Sequence, residues 1–294
     1  MADIFVSGFS FIRNAVKYDY PIVEAITSIL PLCDEFVIAV GNSDDGTLQL
    51  IQSIQSPKIK IIETVWDDSL REGGRVLAAE TNKAYRAISD KADWCFYIQG
   101  DEVLHEKYFE NIRQSMKKYQ RDKHVDGLLF DYLHFYGSYD FVGSASRWYR
   151  REVRVIRKDA SFYSYRDAQG FRKGDNQKLN VKCADAFIYH YGWVRDPRAM
   201  QQKNESFHRL WHSDEWVDKN IAKAAEFDYS GIDALEKFEG NHPVVMQERI
   251  QRQNWQFDFD ISFNSLKLKD RLRKKVEKWT GWRPGEYRNY RLLK

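Results

Sequence analysis

Apolar positions in the first hundred residues alternate between short unbroken runs and runs at helical spacing. Ile4 to Ser7 reads as a short strand. Tyr20 to Leu30 carries Ile22, Ile26, Ile29 and Leu30 three or four apart, and predicts a helix with Pro21 near its start, where proline is tolerated. Glu35 to Val40 predicts a buried strand, closed by the turn-forming run from Gly41 to Thr47. Leu48 to Ile54 predicts a short helix, Ile59 to Val65 a strand, and Arg75 to Ile88 a helix facing inward through Leu77, Ala78, Tyr85 and Ile88. Trp94 to Ile98 predicts a further strand, followed by Gln99-Gly100-Asp101-Glu102. Strands alternating with helices predict an α/β fold: a mostly parallel sheet with right-handed crossovers, flanked by helices.

In such a sheet a ligand sits beyond the carboxyl ends of the strands. The predicted ends carry Ser7, then Asn42 to Asp45, then Trp66-Asp67-Asp68, then Asp101-Glu102. Each alone is compatible with an ordinary turn. Four on one edge point to a site.

From Val125 to Tyr191 strand character dominates, with Leu128 to Tyr132, Val153 to Ile156 and Phe187 to Tyr191 as β-rich runs. Arg147, Arg150, Arg151, Arg154 and Arg157 crowd one stretch. They read either as a solvated strand face or as a positive wall for phosphates or an anionic acceptor. After Pro197 the pattern turns helical through Leu210, Trp216 and Ala225. Gly240-Asn241-His242-Pro243 then precedes a short helix with Val244, Val245 and Ile250. The organisation divides into a domain over residues 1–195 and a helical extension over 196–294. The stretch from Leu266 to Lys294 holds 11 basic and 3 acidic residues, so the rest of the chain is net −5.

The whole chain, 294 residues with 46 basic and 43 acidic side chains, is too near neutral to suggest nucleic-acid binding. Hydrophobic residues at 43% and charged ones at 30% suit a globular protein, and no apolar run approaches the 18 residues of a membrane span. The acidic N-terminus is unlike a secretory signal, and Cys33, Cys95 and Cys183 are too isolated for a disulfide framework or a four-cysteine zinc site. A reducing cytoplasm is the expected home, with contact at the inner membrane face through the basic tail. Aromatics make up 15%, enough for a large core and for a groove in which rings stack on a sugar or base.

Ser7 to Asn14, Asp34 to Val37, Gly41 to Thr47, Thr81 to Ala84, Trp94 to Glu102 and Tyr189 to Gly192, in this order, resemble a glycosyltransferase of the GT-A fold, most similar to the family 2 type, over about the first 195 residues. The resemblance implies a nucleoside-diphosphate sugar donor, UDP-linked, and inverting, metal-dependent transfer to an acceptor hydroxyl on a glycan, a lipid-linked molecule or a protein. It places Asn42, Asp44 and Asp45 at the base and ribose, with Ser7, Arg13, Trp66, Arg75, Gln99 and Gly100 as further donor contacts. Asp101 would bind Mn²⁺ or Mg²⁺ bridging the two phosphates, and His190 is either a second metal or diphosphate contact or a structural histidine. Arg195 and Lys203 either hold the leaving diphosphate or belong to a solvated helix face.

Inverting transfer needs a carboxylate base; the resemblance puts it on a loop of the second section, where Asp167 is the first choice and Asp175 the second, the alternative for either being an ordinary turn residue. Gln99 stands where the family has the first acid of Asp-x-Asp. That departure keeps open a catalytically inactive sugar- or nucleotide-binding scaffold on the same fold. Thr81 replaces an arginine for which Arg75 or Arg71 would compensate. Gly73-Gly74 is either a loop or a close approach to the diphosphate. A dehydrogenase is disfavoured because no G-x-G-x-x-G follows the first strand. A sugar nucleotidyltransferase is disfavoured because its glycine-rich, arginine-containing N-terminal loop is missing. The tail from Leu266 on mixes Leu268, Leu272, Val276 and Trp279 with lysines and arginines. It is expected either to dock on an anionic membrane surface or to pack on the body as a helix with solvated lysines.

Overall fold

A computed structural model describes residues 4–70, 72–221, 223–262 and 265–294. Arg71, one of the two arginines expected to compensate for Thr81, lies outside them, as does the N-terminal Met1 to Asp3.

The elements run β1 (Val6–Ile12), α1 (Ile22–Ile29), β2 (Glu35–Gly41), α2 (Thr47–Gln52), β3 (Ile59–Thr64), α3 (Arg75–Arg86), β4 (Trp94–Tyr97), β5 (Glu102–Leu104) and α4 (Phe109–Tyr119). Then follow β6 (Gly127–Tyr136), β7 (Phe141–Gly143), β8 (Arg151–Arg157), β9 (Phe162–Tyr165), β10 (Gly170–Lys173), β11 (Gln177–Lys178) and β12 (Asn180–Trp193). The remainder holds α5 (Pro197–Arg209), α6 (Asp214–Asn220), β13 (Leu235–Lys237), α7 (Gln247–Gln251), α8 (Leu268–Thr280) and β14 (Arg291–Leu292).

The expected α/β class is the one observed. An 11-stranded sheet runs β13-β7-β6-β8-β4-β1-β2-β3, with β12 joined to β6, β5 and β14. Its half β3-β2-β1-β4 is parallel throughout, as is the long β6–β12 pair. Antiparallel β8 joins the two halves through β4 and β6. Strands β9, β10 and β11 form a small separate sheet. The central strands are buried on both faces, so they read as unbroken apolar runs. Along β2, Phe36, Ile38 and Val40 enter the core that α1 covers, while Val37 and Ala39 enter the one that α3 covers.

The first strand does not stop at Ser7 but continues to Ile12. Gly8 and Ser10 broke the apolar pattern there, and both are demanded by packing. A Cβ on Gly8 would stand 2.4 Å from the Phe36 ring, and the Ser10 hydroxyl donates to the Ile98 carbonyl at 2.6 Å. The helical pattern after Pro197 resolves into two helices, because Ser213 caps the start of α6 by accepting from the Trp216 N–H. The stretch 196–294 carries α5 to α8 and adds two strands to the sheet: β13 pairs with β7 and β14 with β12. No described helix is long and apolar enough to cross a membrane.

Candidate active site

A cleft of about 870 Å³ opens at the carboxyl edge of β1 and β4. After β4 the chain turns sharply. The Gln99 N–H donates to the Glu102 carboxylate at 3.1 Å, and that carboxylate points into the core. There it accepts from Arg154 Nε at 2.8 Å and Nη2 at 2.7 Å, and from the Tyr132 hydroxyl at 2.7 Å. Glu102 therefore does not face a ligand, contrary to its place in the expected acidic strand end. By anchoring the turn from behind it leaves Gln99, Gly100 and Asp101 lining the cleft.

Asp101 is the centre of a charged cluster. Lys203 Nζ from α5 donates to its Oδ2 at 3.1 Å and to the Gly192 carbonyl at 2.8 Å. Arg195 Nη2 lies 4.0 Å from the same oxygen. Burial works to raise the Asp101 pKa, and Lys203, His190 and Arg195 overcome it, so the carboxylate stays ionised well below the usual range. Burial and Arg195 push the Lys203 pKa down to about 7 against the pull of Asp101. Arg195 is fully buried, with Nε on the Tyr18 carbonyl at 2.8 Å. Its Nη2 has no hydrogen-bond acceptor among the described residues. The Tyr20 ring packs under both cations, 4.7 Å from the Arg195 guanidinium and 5.0 Å from Lys203 Nζ.

His190, on β12, faces this cluster from the other side. Its tautomer follows from a relay. His134 Nε2 lies 2.7 Å from the Tyr149 carbonyl, which only accepts, so Nε2 carries the proton. His134 is kept neutral, its pKa pushed down to about 3 chiefly by burial and by His190, so its Nδ1 is a bare acceptor. That nitrogen is 3.2 Å from His190 Nδ1, which must donate. His190, also neutral, with a pKa pushed to about 4 by burial, then presents Nε2 as a lone pair, 3.8 Å from Asp101 Oδ1. Gly192 makes this approach possible, since a Cβ there would stand 2.4 Å from His190 Cε1 and 3.0 Å from Asp101 Oδ2.

Two acceptors facing each other across that gap suit a divalent cation, whose oxygen and nitrogen ligands sit at about 2.1 Å. Gln99 is not a third ligand in this geometry: its amide donates to the Tyr97 hydroxyl and to the Ala168 carbonyl, at 3.3 and 3.4 Å. Among the described residues no cluster of three or more His, Cys, Asp or Glu has metal-binding geometry. The protein therefore offers a two-ligand corner, which a diphosphate and water would have to complete.

The far wall is an aromatic and basic corner. The Arg13 guanidinium lies 5.3 Å from the Trp66 ring centre, and both residues line the cleft. Gly41 seats Trp66, because a Cβ there would lie 2.3 Å from Trp66 Nε1. Asn42 supports it from behind, its side-chain oxygen accepting from the Trp66 N–H at 3.1 Å. The turn carboxylates behave differently from the expectation that they hold base and ribose. Asp44 pairs with Lys17 at 2.9 Å. Asp45 accepts from the Thr47 N–H at 2.9 Å and the Lys17 N–H at 2.8 Å. They knit two loops together outside the cleft lining. Ser7 lies at the amino end of β1, away from the cleft lining, fully buried and donating to Glu35 at 2.8 Å. Arg75 opens α3 on the exposed surface, away from the cleft lining.

Asp167 does reach the cleft. It sits between Arg166 and Ala168, both at positive φ, in the tight β9–β10 turn. Gln169 donates to its Oδ1 at 3.0 Å, and burial raises its pKa. Gly74 makes room for it, since a Cβ there would lie 2.9 Å from the Asp167 Cβ. Gly74 thus admits Asp167 and Trp211, while the space at Gly73 is open. Asn82 on α3 fixes the same hairpin, its side-chain oxygen accepting from the Ser164 N–H at 2.7 Å. Asp175 lies in the exposed β10–β11 turn and does not line the cleft.

Of the arginine run, Arg147, Arg150, Arg151 and Arg154 line the cleft, each paired with a carboxylate, and Arg157 lies outside that lining. Arg154 is buried against Glu102, Arg151 pairs with Asp131 at 2.6 Å, and Arg157 donates to the Val125 carbonyl at 2.7 Å and to carbonyls at the end of α4. Within that run sits a residue the pattern hid. Glu152 is buried in the cleft wall, its Oε2 without a partner among the described residues. Burial, aided by Glu102 and Asp167 against Arg154, raises its pKa to about 8.

No family model matches the chain, and no curated protein does. Solved structures do. The chain is similar to Staphylococcus aureus TarS at 14% identity over 69% of its own length and 39% of that chain, with a TM-score of 0.41. It is also similar to glucosyl-3-phosphoglycerate synthase from Mycobacterium tuberculosis, solved with Mn²⁺, UDP and phosphoglyceric acid, at 17% identity over 45% of this chain and 43% of that one, TM-score 0.29. A third is 4-diphosphocytidyl-2C-methyl-D-erythritol synthase from Anaerococcus prevotii, at 12% identity over 53% and 72%, TM-score 0.33. The chain spans 39% of the length of full TarS.

Proposed function

We propose that the cleft binds a nucleoside-diphosphate sugar, with a pyrimidine base, and transfers the sugar with inversion to a hydroxyl of a glycan, lipid-linked or protein acceptor. The observation that carries this reading is the cluster at the carboxyl end of β4. A buried guanidinium with a free N–H and a buried ammonium converge on Asp101 beside a lone-pair imidazole. A bound diphosphate supplies the acceptors that Arg195 Nη2 lacks, and both cations then stabilise the negative charge that grows as the donor's C–O bond breaks. Asp101 Oδ1 and His190 Nε2 would hold Mn²⁺ or Mg²⁺, which would supply further positive charge for the same leaving group. The Arg13–Trp66 corner offers a ring and a guanidinium to the base and its ribose.

Asp167 accepts the proton of the acceptor hydroxyl as that oxygen bonds to the anomeric carbon on the face opposite the diphosphate. The electron pair of the broken bond leaves on the diphosphate. The Gln99 amide, in reach of the Ala168 carbonyl, ties the Asp101 turn to the Asp167 turn, so donor and acceptor sides share one wall.

The test is a thermal-shift panel of UDP, CDP, GDP and ADP with and without Mn²⁺, followed by donor hydrolysis. UDP should raise the melting temperature, more with Mn²⁺ than without, and Mn²⁺ alone should leave it unchanged, because the two-ligand corner already faces Lys203. Absence of a shift with every nucleotide would remove the donor site. A shift without release of nucleoside diphosphate from any donor sugar would favour the inactive scaffold.

A further inference from the structure

Helix α8 packs on the body by one side only. Its two acids face inward: Asp270 accepts from the Ser146 hydroxyl at 3.0 Å, and Glu277 pairs with Arg150 at 3.1 Å and Arg283 at 2.7 Å. The third acid of the segment, Glu286, accepts from Arg150 at 2.8 Å. Every acidic charge after Leu266 is thus neutralised by a neighbouring arginine or turned to the body.

The opposite side is apolar and uncovered. Leu268 is 75% exposed, Leu272 56% and Trp279 87%, with Val276 between them. At 3.6 residues per turn these four fall within an arc of about 80°. Lys275 and Arg271 border the arc on one side, Lys269 on the other. Trp282, just past the helix, is exposed as well.

We propose that α8 lies flat on an anionic lipid bilayer, its Leu268–Leu272–Val276–Trp279 stripe in the acyl boundary and its flanking lysines on the headgroups. The chemistry is that of an interfacial helix: a narrow apolar stripe, a tryptophan at the depth indole rings prefer, and cations at both margins. A nucleic acid would use the lysines but leave the stripe in water. A second copy of the chain would have to bring its own basic margins against these. The following segment, Arg283 to Tyr287, lines the cleft, so a docked α8 brings the cleft mouth to the bilayer surface. The proposal stands whether or not the cleft transfers a sugar.

The full chain is floated with phosphatidylcholine vesicles with and without phosphatidylserine, at low and high salt. Binding should need phosphatidylserine, fall with salt, and drop on the order of tenfold in Leu272→Glu/Trp279→Glu. Lys269→Glu/Lys275→Glu should lose binding at low salt too. Unchanged circular dichroism melting shows that both variants fold, which their exposure allows. Equal binding to neutral vesicles, full binding by Leu272→Glu/Trp279→Glu, retention on duplex DNA that survives this variant, or a dimer in light scattering that the variant dissolves would each overturn the proposal.

Discussion

Replacing Arg154 by methionine leaves the Glu102 carboxylate in the core without its counter-charge. Both side chains are essentially inaccessible, at 1% and 0%. The guanidinium makes two of the four hydrogen bonds the carboxylate accepts, and it sits between the Tyr97 and Tyr132 rings at 5.3 and 5.4 Å. Removing one partner of a buried pair costs about 3–5 kcal/mol, because the other stays desolvated and unpaired. Removing both, in Glu102→Gln/Arg154→Met, restores neutrality and should fall short of the summed single costs by about 1–3 kcal/mol. The second consequence is local. With its carboxylate displaced, Glu102 no longer fixes the Gln99 N–H, and Asp101 loses its aim. Urea unfolding with linear extrapolation, at unchanged slope, measures the first effect, and the nucleotide-induced thermal shift measures the second. A loss below about 1 kcal/mol for Arg154→Met, or additive single losses, would show that the pair is neither desolvated nor anchoring the turn.

Three further outcomes are expected. Asp167→Asn should lower transfer by a factor on the order of 10² or more while the nucleotide-induced thermal shift persists, measured by product formation under saturating donor. Glu152, whose pKa rises from near 4.5 to about 8 on folding, binds its proton more tightly in the native state. Its contribution is therefore fully present below about pH 4.5 and lost as pH rises through about 8. Glu152→Gln should flatten that decline and gain about 3 kcal/mol at pH 7, read from urea unfolding at pH 5, 7 and 8. Gly41→Ala drives a Cβ into Trp66 and should cost about 1–3 kcal/mol, with a smaller UDP-induced shift than wild type in the same melting assay.

The parallel half of the sheet was legible because its strands are buried on both faces and its helices on one, which gives each its own period. The first strand's end was not, since Gly8 and Ser10 are small and polar for packing reasons that only the neighbouring Phe36 and Ile98 reveal. Asp101 was legible as a candidate because polar residues after strands collect on one edge, whereas His190 inside β12, Lys203 on α5 and Asp167 in the β9–β10 turn were suggested only by the family resemblance. The partners of Glu102 and Asp44 were not legible for a common reason. A carboxylate at a strand end looks the same in sequence whether it faces ligand, a buried arginine or a loop lysine. Glu152 escaped notice because its neighbours in sequence, Arg150 and Arg151, suggested a solvated face, while its pKa is set by residues distant in the chain. The two-histidine relay was likewise invisible, because His134 and His190 meet only through the register of β6 and β12.

Strand β14 has a consequence for synthesis. The Arg291 N–H donates to the Leu179 carbonyl at 2.8 Å and the Leu293 N–H to Val181 at 2.9 Å, so the start of β12 is sealed by backbone made a hundred residues later. At the usual translation rates of 5–20 residues per second, that edge waits on the order of 5–20 s on a growing chain. During the wait its unpaired amides are a template for strands of neighbouring nascent chains. Slow codons between β12 and β14 would lengthen the exposure, so aggregation during expression should respond to codon choice over that interval even though the finished protein is identical.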